Sequence, residues 1–152
     1  MAASETLVLD TTKGRVVIEL LADKAPKHVE RIKQLASDGF YDGVVFHRVI
    51  DGFMAQGGDP TGTGTGGSDH PNLPAEFNDV RHVRGVCSMA RAQDPNSANS
   101  QFFICFDDAT FLDNQYTAWG RVIEGMENVD QFARGEPPRN PDKIESASVG
   151  TA

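Results

Sequence analysis

The feature that most limits how this chain can fold is a succession of about eight short apolar runs, each closed by turn chemistry, with two stretches of helical periodicity among them. Glu5 to Asp10 and Arg15 to Leu21 read as strands, and Thr11-Thr12-Lys13-Gly14 between them reads as a hairpin turn. Ala25-Pro26 opens a helix, because a proline in the first turn gives up an N–H that has no partner there. Val29, Ile32, Leu35 and Ala36 then recur on one face and Gly39 ends the run, which predicts a helix over 26–38. Phe46 to Ile50, Phe53 to Gln56, Val83 to Ala90, Gln101 to Phe106, Ala118 to Ile123 and Ile144 to Val149 read as strands. Phe111-Leu112-Asp113 reads as a tight apolar turn. Met126, Val129, Gln131, Phe132 and Ala133 fit a second short helix ended by Gly135, and Pro137, Pro138 and Pro141 make an extended connector. With no βαβ rhythm, this order favours an antiparallel sheet closed into a barrel to remove exposed edges. The 152 residues read as a single domain spanning 1–152.

Composition narrows the function classes. A hydrophobic fraction of 39% and a charged fraction of 24% are those of a folded globular chain. The net charge of −8 argues against nucleic acid or an anionic membrane as partner, since both select basic faces. Met1-Ala2-Ala3-Ser4-Glu5 has neither a basic n-region nor an apolar h-region, and no run approaches membrane-spanning length, so the cytoplasm is the expected compartment. Cys87 and Cys105 match neither a zinc motif nor a redox CxxC. Free buried thiols are expected, with a disulfide between neighbouring strands left open.

Few motifs carry chemistry. The loop Thr61-Gly62-Thr63-Gly64-Thr65-Gly66-Gly67-Ser68 invites a phosphate-loop reading, but no Lys-Ser/Thr pair ends it and Pro71 and Pro74 follow. His28, His47, His70 and His82 show no ligand spacing, so no metal is expected. The cysteines sit mid-strand, away from activating cations. What remains is the run Phe46-His47-Arg48-Val49-Ile50-Asp51-Gly52-Phe53-Met54-Ala55-Gln56-Gly57-Gly58-Asp59. An arginine here would be costly to bury without a partner and is aimed instead at a ligand. Arg48, Phe53, Met54, Gln56, Gln101, Phe103, Phe111 and Leu112 together read as a shallow apolar pocket with one cation and two amides at its edge. Such a pocket suits a neutral, partly apolar ligand such as a peptide.

At these residues the chain resembles the cyclophilins. Phe46 to Ile50 with Gly52 to Asp59 resembles the family's most specific signature, and Gly64-Thr65-Gly66-Gly67 its glycine loop. Ser88-Met89-Ala90 and Asn99-Ser100-Gln101-Phe102-Phe103-Ile104 resemble its two central strands. Leu112-Asp113 and Trp119-Gly120-Arg121-Val122 follow in the family's order. The resemblance runs from about residue 6 to 149, with the compact loops of the short bacterial type. It implies a closed eight-stranded antiparallel β-barrel capped by two α-helices, and peptidyl-prolyl cis-trans isomerase activity assisting protein folding.

Position by position, the resemblance makes Arg48 the catalytic arginine, with Phe53 and Gln56 beside it. Phe53, Met54, Phe103 and Leu112 become the proline pocket, and Gln56, Ala90, Arg91 and Gln101 the path of the peptide backbone. Phe111 stands where the best-known eukaryotic pattern has a tryptophan whose indole N–H bonds cyclosporin, and Tyr116 where a histidine is usual. Phenylalanine cannot donate that bond, so reduced cyclosporin affinity is expected. Arg91 replaces a small polar residue, which bears on the residue preferred before proline. A monomer acting on proline-containing peptides and client proteins is expected.

Rotation about the X–Pro bond breaks no covalent bond, so it needs no nucleophile, metal or cofactor. The partner expected for Arg48 is thus not a carboxylate but the transient lone pair of the twisting prolyl nitrogen. Two alternatives are a proline-motif binding module or chaperone with incidental turnover, and a thiol enzyme using Cys87 or Cys105.

Overall fold

The computed structural model describes residues 5–62, 66–91, 93–94, 96–136 and 138–151. Residues 63–65 of the glycine loop, the N-terminal residues 1–4 and Pro137 of the connector lie outside the described residues. In chain order the elements are β1 (Glu5–Thr11), β2 (Gly14–Leu20), α1 (Pro26–Ser37), β3 (Arg48–Ile50), β4 (Met54–Gly57), β5 (Val86–Met89) and β6 (Phe102–Cys105). A 3₁₀ turn (Thr110–Leu112), β7 (Ala118–Glu124), α2 (Met126–Val129) and β8 (Ile144–Thr151) follow. The strands form one antiparallel sheet in the order β3-β4-β6-β5-β7-β2-β1-β8.

Closure is less complete than the sequence leads one to expect. Among the described residues no ladder joins β3 to β8. The gap is crossed by isolated bridges, Val45 with Lys143 and Val49 with Gly135. Main-chain bonds from Phe46 N–H to the Asp142 carbonyl and from Ile144 N–H to the Val44 carbonyl reinforce the first, at 2.8 and 2.9 Å. β3 is too short to pair along β8, so its outer edge is covered by irregular chain. Register shifts at Asp10/Thr11, Val17/Ile18 and Cys87/Ser88 interrupt the ladders, as bulges do.

Alternation divides the sheet's two faces. Val49, Ala55, Ile104 and Cys87 lie opposite one another across β3, β4, β6 and β5 and point into the main core. That core also holds Leu7, Leu9, Ile18, Phe46, Phe102 and Trp119, with Val29, Ile32 and Leu35 of α1 and Val129 of α2. Trp119 is fully buried there, as its strand position suggests. The residues between these point the other way. Met54, Phe103, Cys105 and Leu112 form a second, smaller apolar cluster on the outer face, with Ile50, Phe53, Ala90 and Tyr116 packed against it.

Several elements are shorter than their periodicity predicts, three of them for reasons visible in the main-chain bonding. The run from Val83 becomes a strand only at Val86, because Gly85 at φ 90 turns the chain and Val86 N–H closes on the Val83 carbonyl. The second helix is α-helical only to Val129, since Gln131 and Phe132 bond three residues back instead of four. β3 begins at Arg48 because Phe46 has already given its N–H to Asp142. No helix among the described residues is long and apolar enough to cross a membrane.

Candidate active site

The outer face carries one row of side chains in register: Arg48 opposite Gln56, Gln56 opposite Phe103, and Phe103 opposite Ser88. The sequence spacing explains the row. Asp51-Gly52-Phe53 is a three-residue hairpin loop, with Gly52 at φ 72 and Phe53 N–H bonded to the Ile50 carbonyl at 3.0 Å. It returns β4 so that Gln56 faces Arg48, and it turns the Phe53 ring into the hollow beside them.

Two adjoining hollows flank this row. One, of about 330 Å³, is lined by Arg48, Phe53, Met54, Gln56, Ala90, Arg91, Phe103, Phe111, Leu112 and Tyr116. The other, of about 410 Å³, is polar and includes Gln56, Ala90, Arg91, Asn99, Ser100 and Gln101. Gln56, Ala90 and Arg91 line both. Each residue expected to line the site borders one hollow or the other.

The apolar hollow is walled by oriented rings. Phe103 meets Tyr116 edge-on at 5.7 Å, and Phe53 lies 5.8 Å from Phe111, which is 71% exposed at the rim. Met54, Phe103 and Leu112 are buried in the floor. Arg91 lies 4.6 Å over the Tyr116 ring and donates to the Gln115 carbonyl through Nε and Nη2, at 3.1 and 2.7 Å. The polar hollow is held by amides: Gln56 Nε2 donates to Gln101 Oε1 at 3.0 Å, and Gln101 Nε2 to the Gly66 carbonyl at 2.9 Å. Gly58, at φ 98, lets the main chain at Ser100 and Gln101 pass close by, since a Cβ there would overlap the Ser100 carbonyl. Arg31 of α1 fixes the hollow from behind, donating to the Pro71 and Asn99 carbonyls.

Arg48 departs from expectation. It is half exposed, and its Nε donates to Glu136 Oε1 at 2.9 Å, so it does have a carboxylate partner. Gln56, in register with Arg48, gives its amide to Gln101. The terminal guanidinium nitrogens make no hydrogen bond to described residues.

Behind Phe103 lies a further group that sequence reading did not single out. His82, 1% exposed, stacks on the Phe103 ring at 6.4 Å. Its Nε2 lies 3.0 Å from Ser88 Oγ and its Nδ1 2.9 Å from Asp113 Oδ1. Partial burial alone would raise the Asp113 carboxyl, but bonds from the His82 amide, the His82 ring and Arg81 hold it below the usual value. This strut ties β5 and the 3₁₀ turn to the back of the pocket floor. The spacing of His82, Ser88 and Asp113 offers no sequence signal for it.

The cysteines lie on opposite faces of the sheet, Cys87 in the main core and Cys105 in the outer cluster, so the disulfide left open by the sequence does not form. Burial pushes both thiols up, Cys105 to about 12, which removes the nucleophile a thiol enzyme would need. No cluster of metal-ligating side chains is found among the described residues.

Known proteins share this architecture. The family model described as cyclophilin type peptidyl-prolyl cis-trans isomerase/CLD matches residues 6–149. A probable peptidyl-prolyl cis-trans isomerase of Brucella suis is 50% identical over 160 residues, covering 95% of this chain and 82% of its own. A peptidyl-prolyl cis-trans isomerase of Synechococcus elongatus is 42% identical, with 95% of both chains covered. Among solved structures, a cyclophilin from Hirschia baltica superposes with a TM-score of 0.86 at 34% identity, covering 93% of this chain and 72% of that one. A Cryptosporidium parvum cyclophilin-type isomerase, determined in the presence of the dipeptide Ala-Pro, superposes at 0.89 with 30% identity, covering 97% and 99%. The outer-face row beside an apolar hollow, the antiparallel sheet that carries it and these likenesses agree: the chain belongs to the cyclophilin-type peptidyl-prolyl cis-trans isomerases.

Proposed function

We propose that Arg48 is the catalytic residue and that the neighbouring apolar hollow receives the substrate proline, with the peptide backbone running past Gln56, Ala90, Arg91 and Gln101 into the polar hollow. The observation that carries this reading is the register row. It sets a half-exposed guanidinium, with its terminal nitrogens unpartnered among described residues, at the edge of a pocket floored by Met54, Phe103 and Leu112.

The X–Pro bond resists rotation by about 18–20 kcal/mol because the nitrogen lone pair is delocalised into the carbonyl. As the bond twists, that pair localises on nitrogen and becomes an acceptor. A terminal N–H of Arg48 then donates to it, and the bond is stronger in the twisted state than in the planar one, which is what acceleration requires. The apolar walls hold the pyrrolidine ring and exclude competing water. Shortening a process of roughly 10–100 s to milliseconds takes about 5–6 kcal/mol. One preorganised charge-assisted bond together with positioning supplies a contribution of that size.

The whole chain acts as one domain in this reading, as a monomer, on proline-containing segments of client proteins. Two buried free thiols suit a reducing compartment such as the cytoplasm. Titrating an Ala-Pro peptide into isotopically labelled protein tests the site. The amides of Ala90, Phe103 and Leu112 should shift first, whereas shifts centred elsewhere, such as around Leu21 and Val122, would reject it.

A further inference from the structure

β3 is three residues long and forms one edge of the ladder, a weak platform for a long side chain that must be aimed. Its open side is occupied by Arg134-Gly135-Glu136. Gly135 N–H donates to the Val49 carbonyl and Val49 N–H to the Gly135 carbonyl, both at 2.8 Å. This antiparallel bridge is flanked by two ion pairs, Arg134 Nε to Asp51 at 3.1 Å and Glu136 to Arg48 Nε at 2.9 Å. Arg134 is itself anchored, donating to the Asp130 and Phe132 carbonyls and lying 4.4 Å over the Phe106 ring. The bridge register places Glu136 opposite Arg48, so the outer-face row reads Glu136, Arg48, Gln56, Phe103.

The nature of the bond matters as much as its presence. A guanidinium is planar, so fixing Nε sets the plane in which both terminal nitrogens lie and leaves them available to a ligand. A bidentate pair would have consumed one of them. With Gln56 committed to Gln101, Glu136 is the side chain among the described residues that bonds Arg48.

We propose that Glu136 is a positioning residue for the isomerisation, acting through Arg48, and that Arg134-Gly135-Glu136 is the clamp that delivers it. This rests on Arg48 being catalytic. Glu136→Gln should lower kcat by about three- to fivefold, the upper range an exposed ion pair supports, with KM within about twofold. Melting temperature should be unchanged, because both partners are half exposed. The ¹⁵Nε–H resonance of Arg48 should move toward that of a free arginine. Raising salt to about 1 M, where the screening length is roughly 3 Å, should bring wild type toward the variant and leave the variant unaffected.

The deciding arm is the double variant, with exchange followed by NMR so that slow turnover is still measured. In an Arg48→Ala background, Glu136→Gln should have no further effect. An equal loss in that background, an unchanged kcat in the single variant or an increase in kcat would each overturn the inference. An unimpaired Arg48→Ala single variant would instead overturn the catalytic reading beneath it.

Discussion

Phe111 offers a clean separation of binding from stability. Its ring stands at the rim of the apolar hollow, 71% exposed, and its one aromatic neighbour among the described residues is Phe53 at 5.8 Å. Replacing an exposed side chain shifts stability by about 0.5 kcal/mol or less. A docked proline would cover the same ring. A Phe side chain offers roughly 200 Å² of apolar area, so a substrate covering half of what is exposed withdraws about 70 Å² from water. At about 25 cal/mol per Å² that contributes about 1.8 kcal/mol, or roughly 20-fold in affinity. Phe111→Ala should therefore weaken binding of an Ala-Pro peptide by about 10- to 20-fold in calorimetry, at a melting temperature within about 2 °C of wild type. Unchanged affinity would show that the rim ring is not part of the proline site. A large fall in melting temperature would show that the ring supports the fold instead.

Other outcomes follow from the same geometry. Phe111→Trp, which restores an indole donor at the rim, should tighten cyclosporin by about fivefold, the worth of one added hydrogen bond of about 1 kcal/mol, and unchanged calorimetric affinity would remove the argument. Burial holds the His28 ring below its usual value even with Glu76 Oε1 at 2.6 Å, so the pair is a neutral imidazole donating to a carboxylate. The unfolded chain then binds more protons below pH 6.5, so the His28 contribution to stability is complete above that pH and is lost as pH drops, with Glu76 adding to the loss below 4.5. His28→Gln should flatten the melting-temperature profile between these values, and an unchanged slope would count against this reading. Cys87 and Cys105 should resist alkylation at pH 8 in the native state and react on unfolding. Rapid native labelling would contradict their burial.

The signature run was legible because its information is local. Alternation set Arg48, Met54 and Gln56 on the outer face and Val49 and Ala55 inward, and the Gly52 turn brought the two strands into register. Gln101 and Phe103, two positions apart in one run, share a face by the same alternation. Closure was overstated because β3 is too short to reach β8, a matter of strand length that apolar run length did not reveal. Glu136 was missed because it lies 88 positions from Arg48 in a proline-rich connector, joined to it by one main-chain bridge that no periodicity announces. His82, Ser88 and Asp113 were missed because each has an ordinary local role, a loop residue, a strand serine and a turn aspartate, and the strut exists only once β5 and the 3₁₀ turn meet.

The central claim is that Arg48 stabilises the twisted amide and does not merely bind the peptide. Arg48→Ala, assayed for isomerisation of an Ala-Pro peptide and for affinity toward the same peptide, tests it most directly. Loss of one preorganised donor should lower kcat/KM by about 10²- to 10³-fold while affinity stays within a few-fold. A kcat/KM within a few-fold of wild type would contradict the mechanism.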